Sequence, residues 1–202
     1  MTSARATAVA VLSACRRDGA WSNERLKAEL SKSRLSRQDA ALCTRIIYGV
    51  IQNRMLIDFY IATFCNSRKL EPKVRDILRT GICQLVFMSK IPDSAAVNEA
   101  VNLTKKLANP RAAGLVNATL RAVVRNKETL PEPVCNSREE YLSVKYSHPL
   151  WLVREFYKLL GDRDAERLLQ ADNSAPLITV QVNTVKSDVT RALSLLEKDG
   201  VK

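Results

Sequence analysis

Apolar residues recur at three- and four-residue intervals through most of this chain, the spacing of amphipathic helices. Thr2 or Ser3 caps a first helix that turns Val9, Leu12 and Cys15 inward and stops at Gly19. Trp21 is placed to staple a second helix opened by Ser22, with Leu26 and Leu30 inward. Ser36, with Asp39 three residues on, starts a longer helix through Leu42, Ile46, Ile47, Val50 and Ile51, and a fourth covers Leu56 to Phe64. Glu71-Pro72 puts proline at a first helical position, and Val74, Ile77, Leu78, Ile82, Leu85 and Val86 then form a helical stripe. Pro92-Asp93-Ser94 breaks and recaps the chain before a helix through Val97, Val101 and Leu107, and Asn109-Pro110 opens another. About seven helices on short connections predict an antiparallel bundle.

The pattern changes after Leu130. Glu128 to Ser137 has two prolines and no apolar period, which reads as a linker. Ser137 and Glu140 form a capping box for a helix to Tyr146, and Pro149 starts the run WLVREFYKLL, closed by Gly161. Trp151, Phe156 and Tyr157 fit its core better than a base-stacking platform, and His148 is expected to cap or pack. Asp162 begins a helix through Leu168 and Leu169, and Ser187 or Asp188 begins a last one ending at Gly200. Between them Leu177 to Val182, LITVQV, is rich in branched residues and predicts a strand. One strand cannot satisfy its own ladder, so this strand needs a partner. The fold class predicted is mainly all-α: a helical bundle over residues 1–130, then a small α+β segment over 131–202.

Charge divides the chain at the same place. Residues 1–130 hold 22 Lys and Arg against 10 Asp and Glu, whereas residues 131–202 hold 10 against 11, so the bundle nets +12 and the rest −1 of the chain's +11. The five cysteines form no C-x-x-C pair and there is one histidine, which leaves no clustered ligands for a structural metal. Cys15, Cys43 and Cys83 fall in apolar helical patterns, as buried thiols of a reducing compartment do. No stretch approaches the roughly 18 uninterrupted apolar residues of a membrane helix. A cytoplasmic protein is expected.

The basic excess is concentrated near the end of the bundle. No carboxylate occurs between Ala100 and Lys127, while Lys105, Lys106, Arg111, Arg121, Arg125 and Lys127 do. At 100° per residue, Arg111, Gly114, Ala118, Arg121 and Arg125 fall within an arc of about 80°, opposite Leu115, Val116, Thr119, Leu120 and Val123. Arginine interleaved with the smallest side chains would let a phosphate backbone approach, and the helix start at Asn109-Pro110-Arg111 would offer free amides to an anion. A solvated face that happens to be basic is the alternative. Arg79, with Arg75 four residues earlier, could widen the basic surface, or pair with the neighbouring Asp76.

Ile77 to Lys127 resembles the NusB-like domain shared by the NusB antitermination factors and the Sun/Fmu/RsmB ribosomal RNA methyltransferases. The shared pattern is L-R-x-G-x-x-Q-L at Leu78 to Leu85, I-P-x-x-A-A-V-N-E-A-V at Ile91 to Val101, and V-N-x-x-L-R at Val116 to Arg121. Upstream, Ile46 to Asp58 is similar to the methyltransferase branch, with Gln52 and Asn53 before Arg54 shifting the match. The antitermination branch tends to begin with an arginine-rich helix and to carry an acid where this chain has Arg121. Here the first helix has only Arg5 before Ala14, and 77 residues follow Arg125. Within these, Tyr146 to Gly161 resembles the S-x-P-x-W-L-V segment that leads into the catalytic part, and Val182 to Lys186 resembles the opening of an RNA-recognition subdomain, with Gln181 where arginine is frequent.

The resemblance implies an RNA-binding N-terminal region of a 16S ribosomal RNA (cytosine-5)-methyltransferase, using S-adenosylmethionine and cysteine chemistry. The D-x-x-A-A-P-G-G-K run and the Pro-Cys or Thr-Cys nucleophile are absent, and Cys135 lies in the linker. These 202 residues are therefore expected to be non-catalytic, without cofactor or metal, and cut from a longer chain. Small-subunit ribosomal RNA is the expected partner. The expected RNA contacts are Lys105, Lys106, Arg111, Arg121, Arg125 and Lys127, with Arg5 and Arg79. The alternatives are a stand-alone NusB-like transcription antitermination regulator without enzymatic activity, and a bundle whose basic surface meets an acidic protein.

Overall fold

The computed structural model describes residues 3–18, 22–33, 35–67, 69–174 and 179–200. Its bundle consists of α1 (Ala4–Asp18), α2 (Ser22–Lys32), α3 (Arg37–Gln52), α4 (Arg54–Phe64), α5 (Pro72–Phe87), α6 (Asp93–Leu107) and α7 (Ala113–Arg125), the last entered through a 3-10 turn at Pro110–Ala112. Local signals set these boundaries: Ser36 Oγ accepts from the Asp39 amide at 3.1 Å, and Pro72 occupies the first turn of α5. The Gly19 stop and the Trp21 staple lie outside the described residues.

Helix α5 is the hub. It packs on α1, α3, α4, α6 and α7, and accordingly nearly every position from Val74 to Leu85 is buried. Two glycines allow the close approaches. A Cβ on Gly49 of α3 would lie 2.7 Å from the Cys83 sulfur, and one on Gly81 would lie 2.9 Å from the Leu120 methyl carbons of α7. Ile46, Ile57, Ile77, Leu78, Ile82 and Leu120 fill the space between, all fully buried. Ile51 and Leu107, expected inside, lie at the edges of their stripes and are about 40% exposed.

Helices α8 (Arg138–Tyr146), α9 (Leu150–Asp172) and α10 (Val189–Lys198) follow. Ser137 accepts from the Glu140 amide as the sequence predicts, while Glu140 accepts from the Asn136 amide, one residue before the cap amide that a capping box would use. Gly161, with φ 74° and ψ 175°, breaks α9 where the sequence ends one helix and begins another. A small core of Leu142, Val153 and Leu169, flanked by Tyr141, Tyr146, Phe156 and Tyr157, holds α8 to α9. Helix α8 rests on α4, and Ser147, at φ 57°, turns its hydroxyl to accept from the Leu56 amide at 3.1 Å. Gln52 donates to the Asn173 carbonyl at 2.9 Å across the same seam. His148 packs there, its Nδ1 2.8 Å from the Tyr146 carbonyl oxygen and its Nε2 3.7 Å from Asp172.

Two expectations for this region are corrected. Residues 177–178 of the expected strand lie outside the described residues, and residues 179–182 are irregular; no strand occurs among the described residues. A branched run without a neighbouring strand has nothing to complete its ladder. Trp151, expected in the core, is 67% exposed, because Val153, Phe156 and Tyr157 supply the packed face of α9.

Candidate nucleic-acid interface

Helix α7 is amphipathic in the sense the sequence predicts. Val116, Leu120 and Val123 are fully buried against the bundle, and Leu120 reaches Gly81 of α5. Gly114, Ala118, Arg121 and Arg125 are all exposed on the other side, and Arg111 is exposed in the 3-10 turn that precedes the helix. Arg121 Nε donates to the Asn117 side-chain oxygen at 3.1 Å, which steadies the guanidinium without neutralising it. Lys105 and Lys106 are exposed in the last turn of α6, where the helix dipole also favours cations. Among the described residues, no carboxylate pairs with Lys105, Lys106, Arg111, Arg121 or Arg125. Like charges left unpaired along one edge produce an outward positive field suited to a polyanion.

The remaining expected contacts differ. Lys127 is bonded to Asp93 at 2.8 Å, with both side chains 34% exposed, so its charge is partly spent. Arg5 is half-buried; its Nε donates to Gln84 Oε1 at 2.6 Å, and Gln84 in turn donates to the Thr80 carbonyl. It satisfies a buried amide of α5. Of the two readings for Arg79 the structure favours the ion pair over the RNA surface: only 11% exposed, it bonds Asp76 at 3.0 Å and also forms a two-pronged pair with Asp58 at 2.8 Å. Burial pulls its pKa down, but hydrogen bonds and charge from Asp58 and Asp76 outweigh that and hold it above the ordinary arginine value. Its donors are directed into the protein and leave little for RNA.

Sequence reasoning missed the network behind Arg79. Asp76 is 1% exposed and also accepts from Ser13 at 2.8 Å and Arg16 at 3.2 Å, so the Asp76–Arg79 pair of α5 joins α1 through Asp76 and α4 through Arg79. Its one sequence signal was Asp76 beside two arginines. The expected free amides at the start of α7 are also corrected. Asn109 accepts from the Arg111 amide at 3.0 Å, and the Ala112 and Ala113 amides go to Asn109 and Pro110 carbonyls, leaving the ridge to act through side chains.

Buried thiols take no part in this surface. Burial pushes Cys43 up to about 11 and Cys83 up to about 12. Among the described residues no helix is long and apolar enough to cross a membrane.

A helical bundle with an exposed cationic helix defines the class, and comparison with known proteins identifies it further. Residues 2–125 match the NusB family, and the chain belongs to that family. Residues 148–202 match the RsmF/B-like methyltransferase ferredoxin-like domain. The probable ribosomal RNA small subunit methyltransferase B of Bacillus subtilis (strain 168) is 32% identical over 206 residues, which is 100% of this chain and 45% of the relative. That of Synechocystis sp. is 30% identical over 200 residues, 98% of this chain and 45% of the relative. The transcription antitermination protein NusB of Dictyoglomus thermophilum is 40% identical over 103 residues, 50% of this chain and 72% of the relative. The crystal structure of PH0851 shares the fold, with a TM-score of 0.62 at 22% identity over 96% of this chain and 44% of that one. The chain thus spans about half the length of the methyltransferase relatives.

Proposed function

We propose that this chain is the RNA-docking region of an S-adenosylmethionine-dependent 16S ribosomal RNA (cytosine-5)-methyltransferase, acting in the cytoplasm. Residues 1–130 receive small-subunit ribosomal RNA and residues 131–202 lead into an RNA-recognition subdomain. The observation that carries this reading is the unpaired arginine face of α7. Guanidinium forks bind phosphate oxygens in pairs and stack on unpaired bases, and the small side chains at Gly114 and Ala118 leave room for a backbone between them. The two matched families, in the order NusB then RsmF/B-like, support the methyltransferase over a stand-alone antitermination factor.

The described residues do not fit the methyl donor. Gly49 and Gly81 are consumed in helix packing, and Gly114, Gly161 and Gly200 stand singly, so no Gly-rich turn against a sheet is formed. We therefore assign binding to this region and the methylation step to other residues of the protein. The test is a salt titration of RNA affinity with the 202-residue chain. Replacing Arg121 and Arg125 by alanine is expected to weaken binding to all RNAs and to flatten the log–log salt slope by about one unit per lost phosphate contact. An unchanged slope removes both residues from the RNA surface.

A further inference from the structure

The face of α9 that carries Trp151 has a composition that the core of this region does not explain. The ring is 67% exposed, while Val153, Phe156 and Tyr157 on the other side of the helix hold the small core. Arg154, Glu155 and Lys158 are exposed as well, and with Trp151 they fall within an arc of about 100°. Among the described residues none of the three charged groups is in an ion pair, although α8 and the second half of α9 are laced with them through Arg138, Lys145, Asp162 and Glu166. Trp151 is thus a flat apolar ring whose neighbours one turn along the same face are a cation and a carboxylate.

A protein-docking face would surround such an anchor with further apolar groups and keep charge to the rim. Here the exposed residues three, four and seven positions on from Trp151 are all charged, and the nearest strongly exposed apolar residue of the helix, Leu159, lies about two turns away. That arrangement fits a single planar ligand with a charged tether, and an unpaired nucleotide is such a ligand. Stacking uses the π-face that every base has, and Arg154 and Lys158 lie along one flank where the phosphates would run. Glu155 lies on the other flank. A carboxylate there accepts from the exocyclic amine of cytosine or adenine and meets only carbonyl oxygen on the corresponding edge of uracil.

We propose that Trp151, Arg154, Glu155 and Lys158 form a second RNA contact, which stacks one unpaired base and prefers an amine-bearing base to uracil. It rests on the RNA-docking reading for the class of partner, but it lies outside the bundle and requires single-stranded RNA. The test measures, by fluorescence anisotropy with the 202-residue chain, affinity for labelled oligocytidylate, oligouridylate and an RNA duplex. Trp151→Ala is expected to weaken oligocytidylate binding about tenfold, the scale of one lost stack, and to leave duplex binding within about twofold. Trp151→Phe is expected to restore most of the loss, and Glu155→Gln to reduce the preference for cytidylate. Because Trp151 is exposed, these variants are expected to retain the wild-type melting midpoint.

Unchanged oligocytidylate binding in Trp151→Ala overturns the proposal, as does an equal loss on duplex. A wild-type chain that dimerises in sedimentation while Trp151→Ala stays monomeric also overturns it, by making the face a contact between copies. Failure of the wider reading has a different signature: Arg121→Ala with Arg125→Ala would leave every RNA bound as before.

Discussion

Residues 3–125 and residues 131–200 are both helical, yet they use their apolar residues in opposite ways. In the first region one continuous core runs from Ala4 to Val123 and the exposed side of its last helix is cationic. In the second the core reduces to Leu142, Val153 and Leu169, while Val134, Trp151, Leu159, Val180, Val185 and Leu193 are more than half exposed. A helix seated on five neighbours can assign every side chain to inside or outside. A helix with one neighbour cannot, and its large residues remain available to partners. Difference in packing, more than difference in composition, separates a charged docking surface from an aromatic one.

The strongest way to break this contrast is at Arg79. Replacing it by alanine leaves Asp76, 1% exposed, with only Ser13 and Arg16 as partners, and is expected to cost about 3–5 kcal/mol in chemical denaturation. A loss below about 1 kcal/mol would show that the buried network is not what joins α1, α4 and α5. Next comes Gly81→Ala, whose added carbon would meet Leu120 at 2.9 Å; overpacking of this kind costs about 1–3 kcal/mol and should also disturb RNA binding through α7. In the second region the corresponding effect is smaller. Ser137→Ala removes the α8 cap and is expected to cost about 1 kcal/mol, measured as a lower denaturation midpoint with RNA affinity on the α7 ridge unchanged.

The last effect, absent near neutral pH, sharpens the contrast at high pH. Cys43 and Cys83 rise from an ordinary 9.0 to about 11 and about 12, so folding favours their protonated forms. Their contribution to stability is complete below pH 9 and is lost as pH climbs through 11 and 12. Thiol labelling of the native protein at neutral pH should therefore spare both until the bundle unfolds. Rapid native labelling of either would contradict the packing described for α3 and α5.

The bundle was legible in the sequence because its signals are local. Ser36 with Asp39, Pro72 and Asn109-Pro110 each act within four residues, and the helix ends follow them, as Ser137 does for α8 beyond the bundle. The exposed arginines of α7 were legible for the same reason, since one helical period separates them from Val116, Leu120 and Val123. The pairing of Arg79 with Asp76 was legible too, but its pairing with Asp58 was not, because Asp58 is brought to it by the packing of α4 on α5 from 21 residues away. Trp151 was misread because apolar residues surround α9 from Leu150 to Leu160, so periodicity alone does not say which of them faces inward. The branched run at residues 177–182 needs a neighbouring strand, a property no segment carries by itself.

Gly81 gives the arrangement an unexpected origin. Helix α7 can sit this close to α5 only because one side chain is missing there, with Leu120 pressed over the gap. Arg121 follows Leu120 directly in the chain, so a carbon added at Gly81 would push on the residue beside the cationic edge. Altering the aim of the cationic edge requires no change to any charge.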